Sequence, residues 1–516
     1  MTMKPKKTHA AAKGFLQRLL DLIEKVGNKV PHPAMIFLML IGIVIVLSHA
    51  LYLTGAAVTY QVINPETHRI EQATTTARSL LTRDGIRFMF MSVVQNFMNF
   101  NAVGVIIVAM VGVGVAEEAG LIRALIRKLV NISPRKALTY ILVFVGILSS
   151  IAADAGYLVL IPLGGAAFLS VGRHPLAGLA ACFAGVGAAF GVNILIKPLD
   201  GILTEITNDA IHLLDPTISI DLTANFWFSI ASVLLLTIII SLVTDKVVEP
   251  RLGEYKSEHP VEEAKGISAE ESRGLKYALY GLLGVIALFS VLTLPAGAPL
   301  RNPETGALVG NSPFMNGLIV AIAVLFGVMG AAYGIGSRTM KSALDVINAM
   351  TKAIVGLSGL IFLLLIISQF LGYFNYTNMA TLAAVKLSDV LKTAKLDALW
   401  LLMGFIVVVV LVGLIIPGAI PKWAMFAPIF VPLMMKLKVA PEAVLAAYRV
   451  GDSPVNVLTP LNPYFAVIVT FAQKYQKNAG VGTVVALMLP YFVVVMVLWT
   501  LFLAAWHLLG LPWGLG

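Results

Sequence analysis

Arg449 and Asp452 lie inside an apolar segment, 440–465, that Pro454, Pro460 and Pro463 interrupt. Lys197 and Asp200 fall in a second interrupted apolar stretch, 175–214. On insertion scales a charge at the centre of a bilayer costs about 2.5–3.5 kcal/mol, so such residues usually line a solute or ion path. Prolines that break a helix free backbone carbonyls, which hydrocarbon tolerates only beside protein or a cavity. The chemistry on offer is therefore reversible binding of charge. A desolvated carboxylate such as Asp200 or Asp452 can alternate between a protonated and an ion-bound state, which suits proton or sodium coupling. Asn193 and Asn456 add amide oxygens, and such donors suit a hard cation such as a bound sodium ion. No other cofactor is expected.

Arg449 stays charged at any relevant pH and can fork onto a carboxylate. Its partner is either a substrate carboxylate or Asp452, three residues along one helix face. Trp423, beside Lys422, either stacks on an aromatic substrate or sits in an interfacial belt. Asp154 is either a second coupling carboxylate or a helix cap. Lys197 either neutralises Asp200 or helps to hold an anion, and Glu117 and Glu118 read as solvated.

The elements that must position these residues are membrane helices. Of 516 residues, 58% are hydrophobic and only 12% charged, well below a soluble chain. Apolar runs long enough to span about 30 Å of hydrocarbon lie near 34–54, 100–118, 222–243, 276–296, 313–334, 346–373 and 481–509. The predicted class is an all-α polytopic membrane protein. The net charge of +10 does not point to nucleic acid, because Lys and Arg cluster between the apolar runs. Cys182 is the one cysteine, which leaves no intrachain disulfide, and the start of the chain is expected to carry no cleavable signal.

Segments 136–173 and 398–438 each hold two short arms around breakers. These are Ser149, Ser150, Asp154 and Gly156 in the first, and Pro417, Gly418, Pro421 and Lys422 in the second. Both read as re-entrant hairpins; two ordinary spans each is the alternative. Segments 175–214 and 441–473 each count as one broken span. Applied to Lys and Arg between spans, the positive-inside rule puts the N-terminus in the cytoplasm and the C-terminus outside. Lys386, Lys392, Lys395, Lys436 and Lys438 fit this scheme badly. The expected layout is about nine spans plus two hairpins dipping from opposite sides. Residues 1–33 form a cytoplasmic arm, with an amphipathic helix at 13–29 resting on the interface. A polar cytoplasmic linker, 244–275, separates the membrane halves 34–243 and 276–516.

The halves echo each other. Residues 174–181, HPLAGLAA, resemble 440–447, APEAVLAA. Residues 193–200, NILIKPLD, resemble 456–462, NVLTPLN, with one residue of slippage. Each pair follows its hairpin in the same order, which with opposite hairpin sides implies an inverted repeat. In such proteins the binding site lies near the midplane, at breaks in paired helices. That logic selects 193–200 and 452–462. Signatures of catalysis are absent: no HExxH, no Walker A, and Gly-rich pieces that follow no strand. Gly112, Gly114, Gly334 and Gly336 read as close-packing positions.

Four stretches carry a family resemblance: 23–33 (IEKVGNKVPHP), 153–163 (ADAGYLVLIPL), 422–433 (KWAMFAPIFVPL) and 446–465 (AAYRVGDSPVNVLTPLNPYF). The chain resembles the aminobenzoyl-glutamate transporter (AbgT) family over almost its whole length. The resemblance implies a bowl-shaped homodimer in the bacterial inner membrane, with nine spans and two hairpins per subunit. It also implies cation-coupled movement of p-aminobenzoyl-glutamate; sulfonamide export is associated with some members. By motif match the family's functional positions fall on Asp200, Trp423, Pro441, Arg449, Asp452 and Pro460. The implied partner is a small anion, an aromatic ring joined to a dicarboxylate. The chain departs from the family pattern at 417–422 (PGAIPK), where small hydroxyl residues are expected, and after Asp452, where Ser453-Pro454 replaces a Ser/Thr pair. It also departs at Lys197, where similar proteins tend to be uncharged, and at Gly201, where proline is usual. Competing readings are a dicarboxylate carrier or drug exporter on a related scaffold, an intramembrane enzyme using Asp154, Asp200 and Asp452, and a channel.

Overall fold

The computed structural model describes residues 31, 33–63, 70–131, 134, 137–151, 156–255, 267–309, 312–383, 385–386 and 397–515. The amphipathic helix expected at 13–29 and the candidate Asp154 lie outside these residues. Seven helices are long and apolar enough to cross a membrane: Pro33–Leu53, Asn101–Ala119, Phe226–Leu252, Ala269–Thr293, Leu318–Ser337, Ser358–Tyr376 and Val481–Leu508. Each forms where an apolar run of about 20 residues lets the helix satisfy its own backbone across about 30 Å.

Three expectations are corrected. The span expected near 346–373 is two helices, Ala343–Gly356 and Ser358–Tyr376, that meet at Leu357 among Gly356, Ser358 and Gly359, all weak helix formers. The linker expected from 244 begins later. The preceding helix runs on through a π-turn, Thr244–Val248, to Leu252, and the next starts at Ala269 behind a Ser268–Glu271 capping box. The extension is anchored by Arg173, which donates to Asp245 at 2.6 Å and Thr139 at 2.7 Å and also holds Glu249. Nor is the chain wholly helical. Strands Ala57–Ile63 and Ile70–Thr76 pair antiparallel, Ala57 opposite Thr76 and Ile63 opposite Ile70. Their β-branched Val58, Thr59, Val62 and Thr74 to Thr76 favour extended backbone.

The two hairpin regions and the two broken spans each resolve into helix, break and helix. In the first hairpin region Leu138–Leu148 and the 3₁₀ turn Ser149–Ile151 lead to Gly156–Leu160 and Ile161–Ser170. In the second, Ala398–Gly413 turns at Gly418, whose φ of 85° suits glycine, into Ala419–Lys436. The first broken helix is Pro175–Phe183, continued as a π-turn to Ala188, a break, then Pro198–His212. The second is Pro441–Asp452, a 3₁₀ turn Pro454–Val457, a break, then Phe465–Gln473. Pro175, Pro198 and Pro441 all open their helices, where a missing N–H costs nothing.

These broken helices form the centre of the molecule. Every residue from Leu176 to Ala189 and from Ala443 to Val455 is buried. The π-turn of the first touches the 3₁₀ turn of the second, and Pro198–His212 packs on Ala419–Lys436 of the second hairpin. At the periphery, Gly112 lets Asn101–Ala119 cross Leu318–Ser337 closely: a Cβ there would sit 1.9 Å from the Ala323 carbonyl oxygen.

Candidate functional site

Arg449 is buried on the last turn of Pro441–Asp452 and points into the first repeat. Its Nη1 donates to Asp200 Oδ1 at 2.5 Å and to the Gly191 carbonyl at 2.6 Å, and its Nε donates to Asn225 Oδ1 at 3.1 Å. The other Asp200 oxygen accepts the Lys197 N–H at 2.9 Å, capping its own helix. Gly191 also donates its N–H to Ser453 Oγ at 2.8 Å. A side chain at 191 would collide, since a Cβ would stand 2.4 Å from that oxygen. Against this group lies a cavity of about 20 Å³, room for a water molecule, whose lining includes Asn193, Leu195, Asp200, Asn225, Ser229 and Arg449.

Arg449 therefore does not pair with Asp452, the alternative left open by their spacing. Asp452 turns to the second hairpin, where its Oδ1 lies 2.5 Å from Lys422 Nζ, both side chains being at most 4% exposed. Asp200 and Asp452 thus belong to two separate buried ion pairs, and Asp452 is not in the cavity lining. Trp423 is 0% exposed, which rules out an interfacial belt position. Its indole N–H is shared between the Leu203 carbonyl at 3.1 Å and Thr207 Oγ1 at 3.0 Å. Tyr448 covers it at 4.7 Å between ring centroids. Pro441 sets the start of the helix that carries Arg449 and Asp452, and Pro460 lies in the break beyond it.

The expected sodium ligands do not form one cage. Asn193 turns its amide nitrogen to the Ile147 and Leu148 carbonyls, both at 3.1 Å, and to Ser150 Oγ at 3.1 Å. Its oxygen accepts from Leu195 N–H at 3.1 Å. Those carbonyl acceptors require the NH₂ end at that side. Asp200 and Asp452 are each engaged by a cationic side chain. Asn456 offers its backbone carbonyl to Asn462 Nδ2 at 2.8 Å. Among the described residues no group of three or more His, Cys, Asp and Glu gathers around a common point. Sequence reasoning passed over Asn225, Gly191 and Thr207, and noted Ser150 only as a breaker and Ser453 only as a departure from the family pattern. Asn225, a polar residue opening the apolar run 226–243, was the one with a visible signal.

The profile of the AbgT transporter family matches residues 18–516. The chain belongs to the AbgT family. Among its relatives is the p-aminobenzoyl-glutamate transport protein of Escherichia coli, 33% identical over 499 residues, or 97% of this chain and 96% of that one. Two solved structures share its architecture. The YdaH transporter of Alcanivorax borkumensis, described as having an unusual topology, is 39% identical with a TM-score of 0.86, covering 94% of this chain and 100% of that one. Neisseria gonorrhoeae MtrF, described as illuminating a class of antimetabolite efflux pumps, is 38% identical with a TM-score of 0.90, covering 97% and 100%. This AbgT-family chain is thus a polytopic membrane transporter. The elements bearing Asp200, Trp423 and Arg449 pack against one another within it.

Proposed function

We propose that the chain is a cation-coupled secondary transporter of p-aminobenzoyl-glutamate or a similar aromatic dicarboxylate anion. It works in the bacterial inner membrane as a homodimer, with its N-terminus cytoplasmic and its two hairpins dipping from opposite sides. The observation that carries this reading is the Arg449–Asp200 pair beside a polar cavity, buried between two broken helices. A buried guanidinium needs a carboxylate at all times, because stripping one partner from such a pair costs about 3–5 kcal/mol. A substrate carboxylate can take over Arg449 as Asp200 gives it up, and Asp200 then accepts a proton. Arg449 is engaged internally in this structure, so pairing with Asp200 and gripping a substrate are successive states of one cycle. The relation to the Escherichia coli protein supports the choice of substrate. The relation to an antimetabolite efflux pump supports a second reading, export of sulfonamide-type compounds.

Reconstituted vesicles test this. Saturable uptake of labelled p-aminobenzoyl-glutamate that collapses with the ion gradient is expected, with at least a hundredfold loss in Arg449→Ala. Flux that neither saturates nor depends on the gradient would indicate a channel. Turnover without translocation would indicate an enzyme.

A further inference from the structure

The first break holds a lysine where the second holds a threonine. In the internal repeat, Asn193, Pro198, Leu199 and Asp200 align with Asn456, Pro460, Leu461 and Asn462, which places Lys197 opposite Thr459. The two residues occupy matching surroundings. Thr459 Oγ1 donates to the Leu414 carbonyl at 3.2 Å, at the turn of the second hairpin region. Lys197 Nζ donates to Ser150 Oγ at 3.2 Å, at the turn of the first, and to the Phe190 carbonyl within its own break. The ammonium also stands 4.9 Å from the centre of the Phe190 ring, and the residue is 1% exposed.

Hydroxyl and unwound-backbone carbonyl oxygens at a helix break are the donors that hold a monovalent cation in inverted-repeat transporters. Here those donors already hold a positive charge, and that charge is covalent. Lys197 further ties this position to the ion pair, since its backbone N–H donates to Asp200 Oδ2 at 2.9 Å. A second cation beside Nζ would meet a like charge in a medium of low dielectric, where repulsion is strongest.

We propose that the Lys197 ammonium is a built-in counterpart of a bound alkali cation, so that the first-repeat site takes no sodium unless Lys197 is removed. This holds whichever anion is carried.

The test is thermal unfolding of the purified full chain in detergent, titrated with sodium chloride against choline chloride at constant ionic strength. Lys197→Ala opens the position, and sodium is expected to raise its midpoint saturably, by about 2–4 °C more than in wild type. Ammonium chloride, which returns the lost group in free form, should do the same. Lys197→Met, which fills the space without charge, should show no added response to either. A sodium response in Lys197→Ala no larger than in wild type overturns the proposal. If Lys197→Ala cannot be isolated in choline, preparation in sodium or ammonium should restore it, and a variant that neither cation restores also overturns the proposal. The readout does not involve transport, so the proposal can fail while the substrate reading stands, and the reverse.

Discussion

Two buried ion pairs, Arg449–Asp200 and Lys422–Asp452, set the chemistry of the centre, and each side chain is at most 13% exposed. For such pairs the cost of desolvation rivals the attraction, so a pair lends the fold little, whereas half a pair damages it. Lys422→Met and Asp452→Asn should therefore each lower stability by about 3–5 kcal/mol, while the double variant recovers most of the loss. Denaturant unfolding of the three variants measures this, and additive losses would mean that the two groups do not act as a pair. The charges themselves were legible in the sequence, because ionised residues in apolar runs are rare. Their partners were not. Arg449 and Asp200 are 249 positions apart, and only the placing of two helix breaks decides that Arg449 faces Asp200 rather than its near neighbour Asp452.

At the scale of elements, the breaks were readable from proline and glycine and the long spans from hydropathy. The β-hairpin and the continued helix to Leu252 were missed. The hairpin's runs of β-branched residues were present but lay inside what read as a loop. The helix continuation depends on Arg173 arriving from the first hairpin region, a tertiary contact that no local pattern encodes. Next to Arg173, His174 caps helix Pro175–Phe183: its Nδ1 accepts the Leu176 N–H at 3.2 Å, which requires a ring unprotonated at that atom. Burial pushes its pKa below the ordinary 6.5, and the charge of Glu249 opposes this only partly. A histidine held below its unfolded value contributes stability that is complete above about pH 6.5 and is lost as pH falls through the folded value. The unfolding midpoint should accordingly drop on acidification from pH 7.5 to 5.5. His174→Asn, which caps without titrating, should show a shallower drop; equal slopes would assign the effect elsewhere.

The whole molecule is two similar units fastened to each other at their breaks. Gly191 of one break donates to Ser453 of the other unit, Tyr157 of the first hairpin region stacks on Tyr464 at 4.2 Å, and Trp423 of the second binds Thr207 and Leu203. The repeat that makes this possible was visible in the order of short motifs, and so was Trp423; the roles of Gly191, Tyr157, Tyr464 and Thr207 were not, because glycine, tyrosine and threonine carry no signal of their own in an apolar chain. One of these fasteners doubles as a reporter. Indole emission moves to longer wavelength when water reaches the ring, and Trp423 is fully buried, with Tyr448 against it. A version keeping Trp423 alone of the six tryptophans should emit in the blue at rest and shift to the red whenever the second hairpin lifts from Pro198–His212. Any separation of these two elements could then be followed optically, without any label, while substrate is added.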